Sequence, residues 1–499
     1  MVSFMKLPKP KVRDVSTTEL CQKFDLKFNS QEVYLNGVCN KSKEIEVGEL
    51  FVAIPGEKTH GAKFANEAIQ NGAKAVLTDA KGAELIEQSL VPVLIAQDVK
   101  KIVGEISSHI YENPSHKMDV FGITGTNGKT TTAWLLKAGL EHCGISTGLL
   151  GTAGIEIPGL KIESERTTPE APELQRIFAL AVQNGAKAIS MEVSSHALTL
   201  GRVNGTRYKA VGFTNLSQDH LDFHKNMQDY FEAKSLLFKD NFSQDAVITT
   251  NDTWGKKLES LIEINVESLG GDVENYWRVT DITAALGHVD FKLTKLNKQS
   301  FNINLSFAGS FNAFNASLAI ALANKLDINL STFIKGLENV QIPGRMQPVI
   351  VPGAPLAIID YAHSPEAIEN VLVTLRKETK GNLISIVGAG GNRDKEKRPK
   401  MGSAVEKYSD LMIITDDNPR DENPENIRES VISGINSKNK VVEIGNRKDA
   451  IQKAISIATE FDTIAVLGKG HESYQEIKGQ MFPFNDYTIT KDLMEEKYK

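Results

Sequence analysis

Short apolar runs alternate with amphipathic stretches along the chain, and this order predicts strands that are each followed by a helix. Residues 50–54 and 120–124 are apolar runs of strand length, and residues 65–71 carry a helical pattern. A second helical pattern runs through Leu136 and Leu140. Because alternating strands and helices form parallel sheets, we expect ligands to bind at the carboxyl ends of the strands.

Two turn sequences divide this pattern into three parts, Asn113-Pro114 and the Pro-Gly-Arg at 343–345. We therefore predict an α/β fold of three domains. They are a small N-terminal α/β module over residues 1–112, a central domain with a parallel sheet over 113–341, and a C-terminal doubly wound, Rossmann-like domain over 342–499. In the central domain, residues 263–307 alternate like β-strands before an alanine-rich helix at 316–324. The last domain contains four apolar runs that each end in a polar loop, at 356–359, 383–387, 411–414 and 463–467.

Composition excludes several classes of protein. Of 499 residues, 41% are hydrophobic and 24% are charged, which is the balance of a globular protein with cores to bury. The net charge of −6 provides no electrostatic footprint for nucleic acid or an anionic membrane. Cys21, Cys39 and Cys143 are too scattered for a disulfide framework or a zinc site. No apolar run is long enough to span a bilayer, and the first residues lack the apolar core of a signal peptide. We therefore expect a cytoplasmic monomer without nucleic-acid or membrane partners.

The glycine-rich segment 125–130, Gly-Thr-Asn-Gly-Lys-Thr, lies between a predicted strand and a predicted helix. Glycines let backbone N–H groups approach phosphate oxygens, and Lys129 can neutralise the β- and γ-phosphates. The usual consensus begins with a glycine where this chain has Ile123. An ordinary glycine turn is the alternative, but a Gly-Lys-Thr at the start of a helix favours nucleotide binding.

Residues 124–131, Thr-Gly-Thr-Asn-Gly-Lys-Thr-Thr, resemble the ATP loop of the Mur ligases, which build the peptide of bacterial cell-wall precursors. The resemblance extends through nearly the whole chain. It implies a UDP-sugar-binding domain, a P-loop-type ATP-binding domain and an amino-acid-binding domain, in that order. It also implies a bacterial cytoplasmic enzyme that uses ATP and Mg²⁺ to add meso-2,6-diaminopimelate to UDP-N-acetylmuramoyl-L-alanyl-D-glutamate through an acyl phosphate. The ATP-binding residues implied by the resemblance are Thr126, Asn127, Gly128, Lys129, Thr130, Thr131, Thr132, Asn312 and Arg345. From residue types alone, Asn312 could equally cap a helix and Arg345 could belong to a domain linker.

The resemblance further implies a catalytic group of Lys129, Glu192, His220 and Lys234, with Thr130, Glu192, His220 and Lys234 as metal ligands. Lys234 would act as a carbamate formed with CO₂, which turns a cation into an anionic oxygen ligand. Residue pattern alone favours a plain exposed helix lysine at this position, and a capping role for Glu192 is about as good as a metal role. His220 and His224 are four residues apart, but the HExxH pattern of zinc enzymes is absent. We expect His224 to be structural.

Similarity to the family assigns the UDP-sugar-peptide substrate to Ser42, Thr167, Thr168, Ser194 and Arg202. Local explanations compete with some of these roles. Ser42 lies in a polar sequence before a strand, between lysines where the family has Asp-Ser-Arg, and Thr168 precedes a proline and could cap a helix. Arg166 and Leu200 stand where asparagine and glutamine are usual in the family.

Asp417-Asn418-Pro419-Arg420 resembles the diaminopimelate-recognition motif of the family. An arginine fork pairs with a carboxylate and repels a terminal ammonium, so Arg420 favours diaminopimelate over lysine. The alternative is a solvated Asn-Pro turn. By the same resemblance, the amino-acid pocket comprises Arg393, Asp417, Asn418, Pro419, Arg420, Gly468 and Glu472, with Glu472 pairing with the ammonium end. The glycines at 388–391 lack the third glycine of a dinucleotide fingerprint, which argues against NAD.

Three other functions remain as alternatives. The first is the lysine-adding ligase of the same family, which Arg420 disfavours. The second, folylpolyglutamate synthetase, shares the ATP loop but has no N-terminal uridine domain. The third is a nucleotide-gated binding protein without turnover, which the presence of Glu192, His220 and Lys234 disfavours.

Overall fold

The computed structural model describes three α/β parts, each built on its own sheet. It covers residues 7–28, 31–56, 59–86, 89–164, 166–285 and 287–498. Within these ranges, no helix is both long and apolar enough to cross a membrane.

The N-terminal part contains a small parallel sheet and a two-stranded ribbon. Its elements are β1 (Val15–Ser16), α1 (Thr17–Phe24), β2 (Tyr34–Leu35), β3 (Val38–Cys39), β4 (Leu50–Val52), α2 (Ala65–Gln70), β5 (Ala75–Thr78), α3 (Ala80–Glu84), β6 (Val93–Ile95) and α4 (Val99–Ile110). The sheet has the order β3-β4-β5-β6, and β1 pairs antiparallel with β2. Arg176, from the central part, reaches into this region and donates to Oε1 of the fully buried Glu49 at 3.3 Å.

The central part is a large mixed sheet with helices on both faces. Its elements are β7 (Asp119–Thr124), α5 (Lys129–His142), β8 (Thr147–Gly151), β9 (Gly154–Ile157), β10 (Leu160–Ile162), α6 (Ala171–Gln183), β11 (Ala188–Glu192), α7 (Ser195–Thr199), β12 (Ala210–Phe213), α8 (Met227–Ser235), β13 (Asp245–Thr249), α9 (Thr253–Leu261), β14 (Asn265–Gly270), β15 (Trp277–Ala285), β16 (His288–Lys295), β17 (Ser300–Leu305), α10 (Phe311–Ala323) and α11 (Leu330–Lys335). The strand order is β10-β9-β8-β11-β7-β12-β13-β14-β15-β16-β17. The six neighbouring strands β8, β11, β7, β12, β13 and β14 run parallel to one another. Every residue of β11 is buried, as expected for a strand covered on both faces.

The C-terminal part is a six-stranded sheet followed by a hairpin and a terminal helix. Its elements are β18 (Gln347–Val349), β19 (Leu356–Asp360), α12 (Pro365–Glu378), β20 (Leu383–Val387), α13 (Lys397–Tyr408), β21 (Leu411–Ile414), α14 (Pro424–Ile432), β22 (Val441–Glu443), α15 (Arg447–Ile457), β23 (Thr463–Leu467), β24 (Tyr474–Ile477), β25 (Gln480–Pro483) and α16 (Asp486–Tyr498). The order is β18-β19-β23-β20-β21-β22, and all pairs except β18–β19 are parallel. Helix α12 begins as its sequence suggests, since Ser364 accepts a hydrogen bond from the N–H of Ala367 and Pro365 occupies the first turn.

The predicted α/β fold class is confirmed, with one refinement in the central sheet. That sheet is parallel only in its middle. At one edge β8, β9 and β10 pair antiparallel, and at the other edge β15, β16 and β17 form an antiparallel meander. The meander matches the alternating pattern predicted for 263–307. The alanine-rich helix begins at Phe311, five residues earlier than its pattern suggested. The hairpin of β24 and β25 was not predicted, because its residues are all half-exposed or exposed and carry no apolar run.

Candidate active site

A cleft of about 460 Å³ lies between the central and C-terminal sheets. One wall comes from the loops that follow β7, β11 and β12, and the other from the loops that follow β19, β20, β21 and β23. All these loops lie at the carboxyl ends of parallel strands, where α/β sheets bind ligands.

Direct contacts join the two walls. Nη2 of Arg345 donates to Oγ1 of Thr130 at 2.9 Å. Nζ of Lys397 donates to Oδ1 of Asp219 at 3.0 Å, and both side chains of this ion pair are less than a tenth exposed. These two contacts bridge the central and C-terminal parts on either side of the cleft.

The loop after β7 adopts a backbone conformation suited to glycine. The φ angles of Gly125 and Gly128 are +146° and +88°. A Cβ atom at Gly125 would lie 1.8 Å from Oγ1 of Thr214, and one at Gly128 would lie 2.2 Å from Oδ1 of Asn315. Helix α5 begins directly after this loop, so its free N–H groups and partial positive charge are available for an anion.

Lys129, the first residue of α5, is held by its own loop. Its Nζ donates to the carbonyl oxygens of Gly125 and Thr126 at 2.9 and 2.8 Å. Burial lowers the pKa of Lys129, while Glu192 and Asp219 act in the opposite direction. The predicted ATP-binding residues that line the cleft are Thr126, Asn127, Gly128, Lys129, Thr130, Thr131, Asn312 and Arg345. Asn312 is not a helix cap, since α10 is preceded by Ser310 and Asn312 lies in its first turn.

Glu192 ends β11 and lies beside the phosphate loop, with 1% of its surface exposed. Its Oε1 accepts hydrogen bonds from Oγ1 of Thr130 at 3.0 Å and from the N–H of Thr152 at 2.8 Å. Carboxylate and hydroxyl oxygens are ligands that Mg²⁺ prefers, usually together with phosphate and water oxygens. The described residues contain no group of three or more His, Cys, Asp and Glu side chains able to hold a metal. The adjacent oxygens of Thr130 and Glu192 fit a magnesium ion whose other ligands come from phosphate and water.

His220 lies in the loop after β12, in a left-handed conformation with φ of +54°. Burial lowers its pKa to about 3, although Asp219, whose Oδ2 lies 3.6 Å from Nε2, acts in the opposite direction. The imidazole is therefore neutral at pH 7, which is the form that binds metals. The side chain of His224 contacts α7 instead, with its Nε2 2.9 Å from Oγ of Ser195. A structural role for His224 stays a prediction.

Lys234 is buried, with 2% of its surface exposed, so the interpretation as an exposed helix lysine is wrong. Helix α8 packs its inner face against the phosphate loop, and Nζ of Lys234 donates to the carbonyl oxygen of Gly125 at 2.8 Å. The same atom lies 4.6 Å from the centre of the Tyr230 ring. Burial, and then the charge of Lys129, hold the pKa of Lys234 well below its usual value. Its amine is thus biased towards the neutral, nucleophilic form that reacts with CO₂.

On the opposite wall, Arg420 is fixed by two contacts. Its Nε donates to Oε2 of Glu476, on β24, at 2.9 Å, and its Nη1 donates to the carbonyl oxygen of Gly391 at 2.7 Å. Gly391 packs so tightly that a Cβ there would lie 1.9 Å from the carbonyl oxygen of Pro419. The guanidinium of Arg420 is therefore held at the cleft by the loop after β20 and by the hairpin.

Glu472 and Asn418 lie next to each other in this wall. Nδ2 of Asn418 donates to Oε2 of Glu472 at 2.8 Å, although the two residues are 54 positions apart. The predicted amino-acid residues that line the cleft are Arg393, Asp417, Asn418, Arg420, Gly468 and Glu472. Positive and negative side chains thus stand side by side, as a zwitterionic ligand requires.

Five predicted residues do not line the cleft, namely Ser42, Thr132, Thr168, Arg202 and Pro419. Thr132 and Thr168 are fully buried, and their contacts with a ligand stay predictions. The hydroxyl of Thr168 donates to the carbonyl oxygen of Glu192 at 3.0 Å and accepts from the N–H of Ser194 at 3.1 Å. Nor does Thr168 cap a helix, because the residue before α6 is Glu170.

The other three lie behind or away from the cleft wall. Pro419 is buried beneath the loop after β20. Ser42 is in the N-terminal part, where its Oγ donates to Oε2 of Glu67 at 2.5 Å. Arg202 forms an ion pair with Glu170 at 2.9 Å. Contacts of Ser42 and Arg202 with a UDP-sugar peptide therefore stay predictions, whereas Thr167 and Ser194 do line the cleft.

Among the residues that line the cleft without a role assigned from sequence are Thr152, Asp219 and Lys397. Burial by itself raises the pKa of Asp219. The neighbouring His220, Lys397 and His363 outweigh this effect and hold the pKa of Asp219 well below its usual value. The position of Asp219 beside His220 was the one available signal. Thr152 and Lys397 belong to no motif, so only the fold reveals them.

The sequence matches family descriptions along most of its length. Residues 34–111 match the Mur ligase family catalytic domain, residues 123–323 the Mur ligase middle domain, and residues 344–470 the Mur ligase glutamate ligase domain. Among curated relatives, the UDP-N-acetylmuramoyl-L-alanyl-D-glutamate--2,6-diaminopimelate ligase of Aquifex aeolicus is 43% identical, over 94% of this chain and 95% of that protein. The enzyme of the same name from Corynebacterium glutamicum is 41% identical, over 90% of this chain and 89% of its own length.

Solved structures agree with these matches. A structure of a UDP-N-acetylmuramoyl-L-alanyl-D-glutamate--2,6-diaminopimelate ligase has a TM-score of 0.68 and 29% identity, and covers 98% of this chain and 100% of its own. The MurF ligase from Thermotoga maritima, in complex with ADP, has a TM-score of 0.63 and 17% identity, covers 93% of this chain and 97% of its own, and shows a shared fold. The fold and the cleft thus define an α/β ligase with a nucleotide loop. The chain belongs to the Mur ligase family.

Proposed function

We propose that the chain catalyses the ATP-dependent addition of meso-2,6-diaminopimelate to UDP-N-acetylmuramoyl-L-alanyl-D-glutamate, a step in the synthesis of peptidoglycan precursors. The names of its relatives support the reaction. The observation that carries the proposal is that Arg420 and Glu472, of opposite charge, both line the wall that faces the phosphate loop. A carboxylate and an ammonium on one carbon of the incoming amino acid would meet opposite charges there.

In the proposed reaction, a carboxylate of the D-glutamyl end attacks the γ-phosphorus of ATP, and the bond to ADP breaks. The amine of diaminopimelate then attacks the acyl phosphate, loses a proton, and expels phosphate to leave an amide. Lys129 and the N-terminus of α5 stabilise the charge that develops on the phosphoryl oxygens. The contacts of Arg345 and Lys397 across the cleft would keep water from the acyl phosphate.

Magnesium fits the phosphate side of this cleft. Thr130, Glu192 and a carbamylated Lys234 would hold one ion and His220 would hold a second, and when bound the two ions would neutralise charge on the phosphates. The carbamate would form when the neutral amine of Lys234 attacks CO₂, with formation of a C–N bond and release of one proton. Burial of Lys234 beside a second lysine supports this step. Carbon-13 NMR of the protein under ¹³CO₂ should show a carbamate signal that Lys234→Met abolishes.

The same proposal assigns roles to the three parts of the chain, with boundaries near residues 112 and 341. The N-terminal part, with Ser42, would hold the uridine, the central part ATP, and the C-terminal part the amino acid. Thr167 and Ser194 line the cleft beside Glu192 and would contact the peptide end of the substrate. We further propose that the protein is cytoplasmic, since the proposed reaction consumes ATP and Cys21, Cys39 and Cys143 are free, and that it is a monomer in the bacterial cell.

Mass spectrometry of the product tests the proposed function. The protein is incubated with Mg-ATP, UDP-N-acetylmuramoyl-L-alanyl-D-glutamate and either meso-diaminopimelate or L-lysine. We expect tripeptide product with diaminopimelate and little with lysine. Product with lysine alone would support the lysine-adding alternative, and ATP hydrolysis without product would support a nucleotide-gated binding protein.

A further inference from the structure

A lysine that does not itself line the cleft connects the two amino-acid-binding segments. Lys469 is fully buried, with 0% of its surface exposed. Its Nζ donates to Oδ1 of Asn418 at 3.0 Å and to Oε2 of Glu472 at 2.7 Å. Asn418 in turn donates to the same Oε2 atom, so the three side chains form a closed triangle.

The backbone around Lys469 directs its side chain inward. Gly468 and Gly470 flank it with φ angles of +115° and +55°. A Cβ at Gly470 would lie 2.7 Å from Cβ of Tyr361, and one at Gly468 would lie 2.6 Å from Oδ2 of Asp417. The loop therefore has no space for a side chain on either side of Lys469, and the lysine extends beneath the pocket.

The hydrogen bonds of this triangle determine which carboxylate oxygen of Glu472 is free to accept from a ligand. Both hydrogen bonds fall on Oε2, and Oε1 accepts no hydrogen bond within the described residues. Since Glu472 lines the cleft, Oε1 is the free acceptor for an ammonium group. Two donors on one oxygen also fix the rotamer of the carboxylate, which a single contact would not do.

Buried charges surround Lys469 in this wall. The nearby cation Arg447 forms an ion pair with Asp486, and both side chains are fully buried. Lys469 donates to the carboxylate of Glu472, and its charge also acts on the carboxylate of Asp417. Burial by itself raises the pKa of Asp417. The charges of Lys469 and then Arg447 outweigh burial and hold this pKa below its usual value, so Asp417 stays ionised.

We propose that Lys469 is a positioning residue that sets the selectivity of the amino-acid pocket, by holding Glu472 and Asn418 so that Oε1 of Glu472 receives the distal ammonium of the incoming amino acid. This inference rests on the proposed function. Lys469 acts through its two partners and touches no substrate.

Kinetics of Lys469→Met test the inference. We expect KM for meso-diaminopimelate to rise about 10- to 100-fold, the effect of losing hydrogen bonds to a charged group. KM for ATP and for the UDP-dipeptide should stay within about twofold, because their binding lies across the cleft. Lys453→Met, at an exposed lysine of α15, is the matched control and should behave as wild type.

A substrate analogue separates positioning from general stability. L-2-Aminopimelate keeps the reacting amine and the distal carboxylate but lacks the distal ammonium. The ratio of kcat/KM for meso-diaminopimelate to that for L-2-aminopimelate should be high in wild type and fall about tenfold or more in Lys469→Met. A purely structural lysine would lower both values together and leave the ratio unchanged, which would overturn the inference.

A double-mutant cycle covers the case in which Lys469→Met leaves buried carboxylates uncompensated and fails to fold. Lys469→Met/Glu472→Gln removes one charge of each sign and should fold. If Lys469 acts through Glu472, the double variant should have the selectivity ratio of Glu472→Gln within about twofold. A further tenfold change in the ratio would contradict the inference. Wild-type protein that forms no tripeptide contradicts the proposed function instead, so the two failures are distinguishable.

Discussion

The cleft has a phosphate wall, formed by loops of the central part, and an amino-acid wall, formed by loops of the C-terminal part. The two walls are built in different ways. In the phosphate wall, Lys129 donates to backbone carbonyl oxygens of its own loop, within four residues. In the amino-acid wall, Lys469 joins Asn418 to Glu472, and these two residues are 54 positions apart. The loop around Lys129 is thus a local backbone structure, whereas the amino-acid wall depends on a network of side chains from distant positions.

This difference predicts different consequences of mutation. A change in the phosphate wall should alter chemistry and leave the choice of amino acid intact. A change in the amino-acid wall should alter the choice and leave ATP binding intact.

The largest effect is expected for Lys129→Met. Loss of the cation that stabilises phosphoryl transfer should lower kcat by about 10³-fold or more. KM for meso-diaminopimelate should change little. Steady-state kinetics measures both, with Lys225→Met, at an exposed lysine, as control. A loss of less than tenfold would contradict the assigned role.

Glu192→Gln should lower kcat/KM for ATP by about 10²-fold and raise the concentration of Mg²⁺ needed for half-maximal rate. The amide keeps one acceptor for the N–H of Thr152, so the fold should be preserved. A magnesium titration at fixed ATP makes the measurement. An unchanged titration curve would exclude Glu192 as a metal ligand.

Arg420→Lys should raise KM for meso-diaminopimelate about 10- to 30-fold, because lysine cannot form the two-pronged contact with a carboxylate. The preference for diaminopimelate over L-lysine should narrow, while KM for ATP should not change. Arg376→Lys, at a half-buried arginine that pairs with Asp410 and does not line the cleft, is the matched control. Equal effects on both amino acids would argue against Arg420 as the source of selectivity.

The smallest effect concerns pH and stability. Burial, and then the charge of Arg345, lower the pKa of His471 to about 4, while its Nε2 lies 3.1 Å from the carbonyl oxygen of Thr152, on the phosphate wall. Below pH 6.5 the unfolded chain binds a proton at this histidine that the folded chain does not bind. The free energy of unfolding should therefore fall between pH 6.5 and about 4, by at most about 1.4 kcal/mol per pH unit from this group.

Urea unfolding at pH 7.0 and 5.0 measures this dependence. The midpoint of His471→Gln should fall less over this interval than that of wild type. Parallel changes in the two proteins would show that His471 does not contribute.

The phosphate wall could be predicted largely from sequence because its signal is local. A strand, two glycines with positive φ and a lysine at a helix start are contiguous in the chain. The burial of two side chains could not be predicted from residue patterns. The burial of Lys234 depends on how α8 packs against this loop, and the buried position of Thr168 depends on hydrogen bonds to β11 and to Ser194.

The amino-acid wall was predicted through family resemblance, and its supporting residues were not predicted at all. Nothing in the spacing of residues 418 and 472 indicates that they share a hydrogen bond. The hairpin of β24 and β25, which supplies Glu476 to Arg420, has no apolar pattern to predict it. Lys469 was visible in the sequence only as one residue of a glycine-containing segment.

Transfer of labelled oxygen tests most directly the claim that the two walls cooperate in one ligation. The UDP-dipeptide is prepared with ¹⁸O in the reacting carboxylate and incubated with Mg-ATP and meso-diaminopimelate. An acyl phosphate requires that each tripeptide formed releases one phosphate that carries one ¹⁸O atom. We predict this one-to-one ratio by mass spectrometry. Phosphate without label, or labelled phosphate without tripeptide, would contradict the account.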